Sequence, residues 1–95
     1  MKSLYFDDEK IEIYETRKKV TSSSELETLV TTVHISDIIS VSEEKSDGEL
    51  YSSTIITTDD SELYIRANEL DDFDALSDLI SYLKERSIMV EEIEI

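Results

Sequence analysis

Hydrophobic and polar residues alternate along most of this chain, and a three-to-four-residue spacing takes over clearly only between residues 70 and 86. Ser3 to Phe6 predicts a short first strand that ends at the Asp7-Asp8-Glu9-Lys10 turn. Ile11, Ile13 and then Val20 alternate with Glu12, Thr16 and charged neighbours, the pattern of a half-buried strand with one wet face. Thr21 to Ser24 is polar and turn-like. From Glu25 to Ile35 two periods coincide. Leu26, Leu29, Val30 and Val33 have helical spacing, and Ser24 with Glu27 resembles a capping box. Leu29, Thr31, Val33 and Ile35 also alternate, and Thr28, Thr31, Thr32 and Val33 are β-branched, which favours a strand over the helical alternative.

Ile38, Ile39 and Val41 open another strand running into Glu43-Glu44-Lys45, and Asp47-Gly48 is a strong hairpin signal. Gly48 is the only glycine, as a position with positive φ would require. Leu50 to Thr58 predicts the return strand, and Thr58-Asp59-Asp60-Ser61 turns the chain into Leu63, Ile65 and Ala67. Phe73, Leu76, Leu79, Ile80 and Leu83 then form one apolar stripe opposite Asp71, Asp74, Asp78 and Glu85, predicting an amphipathic helix over 70–86, about 25 Å long. Asn68 or Asp71 would cap it, and Lys84 and Arg86 suit its negative end. Ile88, Val90, Ile93 and Ile95 suggest a final strand whose alternation slips at Glu91-Glu92, as a bulge or an early end would make it. The expected fold is α+β and mainly antiparallel: a small meander sheet or partly open barrel closed by one C-terminal amphipathic helix, with a short final strand as an option. Neither repeats nor linkers divide it, so residues 1–95 are expected to form a single domain.

Composition narrows the function classes. The 95 residues carry 24 acidic and nine basic side chains, a net charge of −15. Such a chain is a poor direct ligand for nucleic acid or an anionic membrane, which both select Lys and Arg. High net charge also marks disordered chains, but the apolar fraction is 39% and those residues are periodic, so a folded chain is expected. There is no cysteine, no N-terminal apolar targeting region and no apolar run long enough to span a bilayer. A cytoplasmic protein is the default expectation.

The segments Tyr5-Phe6-Asp7-Asp8 with Ile11-Glu12-Ile13 and Arg17, His34 to Val41, and Ile55 to Asp60 before the Tyr64 strand and helix resemble the bacterial PH-like domains over roughly residues 4–86. The resemblance implies a small antiparallel barrel or folded sheet closed by a helix, and an interaction scaffold rather than a reaction. A phosphoinositide site would need a basic pocket, for which only Lys10, Arg17, Lys18 and Lys19 are candidates.

Candidate chemistry is sparse. His34 is the only histidine, expected as a partly buried strand residue rather than a zinc ligand. Asp71-Asp72-Phe73-Asp74 lacks the glycine and downstream Glu of a calcium loop. Asp7-Asp8, Asp59-Asp60 and Asp71-Asp72 fit turns and helix starts. The five tyrosines are expected half-buried with wet hydroxyls. No catalytic group, metal or cofactor is expected.

Charge location is more informative. Residues 1–20 hold five bases against five acids, so the whole −15 lies in residues 21–95. Its densest part supplies the candidate partner-binding residues Asp59, Asp60, Glu62, Glu69, Asp71, Asp72, Asp74 and Asp78, against Arg66 alone. A rigid acidic surface steers toward basic partners. The expectation is therefore a small acidic, non-enzymatic module docking a basic surface of a partner protein, a nucleic-acid-binding protein included. The alternative is a DNA-mimic inhibitor of a nucleic-acid-binding enzyme, of the phage or mobile-element type, anti-restriction or anti-CRISPR-like. Oligomeric state is open, since an exposed strand edge can pair two copies while like charge opposes their approach.

Overall fold

The computed structural model describes residues 1–21 and 24–95. Ser22 and Ser23, in the expected polar turn, lie outside the described residues. Strands β1 (Lys2–Phe6), β2 (Lys10–Lys18) and β3 (Leu26–His34) form an antiparallel sheet in that order. A second sheet has the order β6-β5-β4-β7, from β4 (Ile38–Ser46), β5 (Glu49–Thr57), β6 (Glu62–Arg66) and β7 (Val90–Glu94). Helix α1 (Ala75–Glu85) connects β6 to β7. β4, β5 and β6 are the expected meander, and neither sheet closes into a barrel.

Local chemistry sets the turns. The Asp7 carboxylate accepts the amides of Glu9 and Lys10 at 2.8 and 2.9 Å, which ends β1 and starts β2. These amide hydrogen bonds hold its pKa below the usual value. Leu4 then faces Ile13 and Phe6 faces Ile11 across the ladder. A single turn of 3₁₀ helix (Ile35–Asp37) with Ile35 buried carries the chain from one sheet to the other. At the β4–β5 hairpin Asp47 and Gly48 both have positive φ, 53° and 81°, as a two-residue turn matching strand twist needs. One apolar core runs from Leu4, Ile11 and Ile13 of the first sheet through Val41, Ile55 and Ile65 of the second to Leu76, Leu79, Ile80 and Leu83 of α1. Glu43 of β4 is buried and is paired with Lys84 of α1 at 3.0 Å.

Residues 25–35 follow the two-residue period: β3 pairs with β2 without a break from Leu26 to His34. Several expectations need correction. The helix begins at Ala75 rather than residue 70, because the Asp72 carboxylate accepts the Asp74 amide at 3.0 Å and holds a turn open before it. Eleven residues make α1 about 16 Å long. Phe73 consequently leaves the apolar stripe and is 69% exposed. Asp74, not Asn68 or Asp71, occupies the N-cap position, and its side chain makes no cap hydrogen bond. Glu91-Glu92 makes no bulge. β7 pairs with β4 in unbroken parallel register, and Val90 and Ile93 simply serve opposite faces of an edge strand. Val20 lies past the end of β2 and is 95% exposed. His34 is exposed, not partly buried, because β3 is an edge strand. Tyr5, at 58% exposed, is more open than half-buried packing implies.

Candidate functional site

The eight candidate carboxylates are all exposed, but the topology divides them. Asp59, Asp60 and Glu62 belong to the β5–β6 turn and the start of β6. There Asp59 accepts the Thr57 hydroxyl and the Ser61 amide, which lower its pKa in that order and commit it to shaping the turn. β6 then runs back toward the β4–β5 hairpin, where Asp74 lines a depression with Glu49 and Leu50, while Asp71 is bonded to Ser3 of β1. The two ends are about 26 Å apart along nine-residue β5. Glu69 is drawn into ion pairs with Lys2 at 3.0 Å and Arg66 at 3.6 Å. The Lys2 ammonium, and then Arg66, hold its carboxyl below the usual carboxylate range.

The hairpin end forms a site. Leu70 is buried, the Asp71 amide donates to the Lys2 carbonyl at 2.8 Å, and the Ser3 hydroxyl donates to Asp71 at 2.7 Å. With Asp72 bonded to the Asp74 amide, these contacts clamp residues 70–74 and leave the Phe73 ring outside the core. Two depressions flank that ring. One, of about 290 Å³, is lined by Ser46, Asp47, Glu49, Leu50, Tyr51, Ala67, Asn68 and Phe73. The other, of about 390 Å³, is lined by Glu49, Leu50, Ala67, Phe73, Asp74 and Ser77. No histidine, lysine or arginine lines either one. The cleft offers an apolar floor, one exposed aromatic ring and a carboxylate rim, which suits an aliphatic stem with a cationic head.

Charge accounting points the same way. Among the described residues, seven of the nine basic side chains sit in ion pairs, and those pairs engage six of the 24 acidic ones. Asp47, Glu49, Asp74 and Asp78 are not among the six. Asp78 does lie in the first turn of α1, where the helix dipole favours an acid. Asp47 and Glu49 were legible only as turn residues, and Phe73 only as core. The one available signal was an aromatic residue set inside an Asp-Asp-Phe-Asp run.

Other features are structural. Glu44 accepts hydroxyls from Ser52, Ser42 and Thr54 at 2.6, 2.8 and 3.1 Å. Burial pushes its pKa up, but those hydroxyls together outweigh burial and leave it lowered. His34 shares an open depression with Asp8, Glu9 and Arg86, whose guanidinium donates to the Asp8 carbonyl at 2.8 Å. Among the described residues no group of three or more His, Asp or Glu side chains is placed to hold a metal ion, and no helix is long and apolar enough to cross a membrane. Comparisons with family models, curated proteins and solved structures gave no match.

Proposed function

We propose that this protein is a small acidic, non-enzymatic interaction module whose Phe73 cleft docks a basic surface of a partner protein. The observation that carries the reading is the 69%-exposed Phe73 ring, clamped in place and rimmed by Asp47, Glu49 and Asp74, which make no ion pair among the described residues. Interfaces draw much of their energy from buried aromatic anchors, while surrounding charge sets approach and specificity. The PH-like resemblance fits this scaffold role, with the difference that a seventh strand follows the helix. The DNA-mimic form of the reading asks for a long phosphate-like row. The separation of Asp59, Asp60 and Glu62 at the β5–β6 turn from Asp74 beside the β4–β5 hairpin favours the compact cleft instead.

The test is affinity capture from cell extract with wild type, Phe73→Ala, and a Glu49→Lys/Asp74→Lys variant, with and without competing duplex DNA. The proposal expects a basic partner lost with either variant. Capture of the same partners by all three would overturn it. A partner that duplex DNA displaces would specify the mimic.

A further inference from the structure

Among the described residues the two sheets leave four strand edges, and three are guarded. β1 is short, and at Lys2 its outer edge is taken by the bridge to Leu70. β6 has five residues and carries Glu62 and Arg66. β7 presents Glu91, Glu92 and Glu94. Shortness, cover and charge are the devices that keep sheet edges from pairing.

β3 is the least guarded, its one charged side chain, Glu27, being paired with Arg17 of β2. It is nine residues long, holds continuous register with β2, and contains neither proline nor lysine. Residues 28–36 carry no charged side chain with His34 neutral. The other uncharged run of that length, residues 50–58, belongs mostly to β5, which is paired on both sides. Leu26 and Val30 are 65% and 51% exposed on one face of β3. Val30 sits opposite Tyr14, whose ring meets that of Tyr5 edge-on at 5.6 Å, so the apolar strip continues across the sheet.

The distribution of charge identifies the occupant. Residues 1–34 hold five bases against seven acids, a net of −2, so −13 of the −15 lies in the rest of the chain. The acids at the start of β3 are also neutralised: Glu27 pairs with Arg17 at 2.9 Å and Glu25 with Lys19 at 3.1 Å. A second copy can therefore approach this edge with little repulsion from β3 itself, and the part of β6 that shares a depression with Leu29 and Thr31, Leu63 to Arg66, brings only the cation Arg66.

We propose that β3 pairs antiparallel with β3 of a second copy about a two-fold axis near Val30 or Thr31, joining two three-stranded sheets into one of six. With the axis at Val30 Glu27 faces Val33, with it at Thr31 Glu27 lies opposite the position just past the strand's end, and within Leu26–His34 no like charges oppose each other.

The test is sedimentation equilibrium with hydrogen exchange on the whole chain and on a Val30→Asp/Thr32→Asp variant. Both positions are exposed, so the variant is expected to fold, with circular dichroism as the check. The wild type is expected to dimerise at micromolar concentration, more strongly as salt rises toward ~0.15 M and screens residual repulsion. The variant is expected to associate at least roughly tenfold more weakly, because four carboxylates then crowd the axis, and its alternate β3 amides lose protection. A wild type that stays monomeric at millimolar concentration would overturn the proposal and leave the edge to a strand of another protein. A dimer untouched by the variant would equally overturn it, by placing the interface elsewhere.

Discussion

Replacing Phe73 with alanine should barely disturb the fold, whereas the same replacement at Leu76, three residues on, should be severe. A fully buried Phe side chain contributes about 1.5–3 kcal/mol through removal from water. Phe73 keeps only about a third of its surface sheltered, being 69% exposed, so its truncation should cost about 0.5–1 kcal/mol. Leu76 is 0% exposed in the core between α1 and the sheets, and Leu→Ala there costs about 2–5 kcal/mol once the cavity is included. Against a total stability of about 5–15 kcal/mol, the second change can leave the domain barely folded. Urea titration followed by circular dichroism separates the two through the midpoint at constant slope. If Phe73→Ala cost as much as Leu76→Ala, Phe73 would belong to the core after all. The helix would then start near residue 70 and the cleft would lose its aromatic. If the small cost is found, Phe73→Ala is a clean probe of binding.

Ser52→Ala should raise the Glu44 pKa seen by NMR titration, because it deletes one of three hydroxyl bonds to the carboxylate. Since folding lowers this pKa, its stabilising effect is present above the unfolded value and is lost as pH falls through the folded one. Ser87→Gly should stabilise the protein by about 0.5–1 kcal/mol in the same urea assay. Ser87 holds φ 63° in the turn that ends α1, where the Ile88 amide reaches back to the Leu83 carbonyl at 3.0 Å; a loss of stability would refute that strain. Moderate NaCl should raise the melting temperature by screening a net charge of −15, and a fall would contradict self-repulsion as a destabilising force.

Strands were legible wherever alternation coincided with turn chemistry, as at Asp7 and Asp47-Gly48, because the physics there is local. The helix core from Leu76 to Leu83 was equally plain from its spacing. Its start was not, because Phe73 keeps helical phase with Leu76 and only the Asp72 carboxylate on the Asp74 amide breaks that continuity. The sheet partner of β7 was hidden too, since Val90 and Ile93 point to opposite faces and the pairing with β4 spans some fifty residues of chain. The candidate site was half legible. Asp71, Asp72, Asp74 and Asp78 stood out by density, but Asp47 and Glu49 come beside Phe73 and Asp74 only through the hairpin that returns β5 and β6.

The most direct test of the cleft is an NMR titration of ¹⁵N-labelled protein with an arginine-rich peptide carrying one leucine. The account predicts shifts confined to the amides around Asp47, Leu50, Ala67, Phe73 and Ser77, and roughly tenfold or greater weakening in Phe73→Ala, from loss of an aromatic contact. Equal shifts at the Asp59–Glu62 turn with no effect of Phe73→Ala would contradict it, reducing the acidic surface to a diffuse field without a docking site.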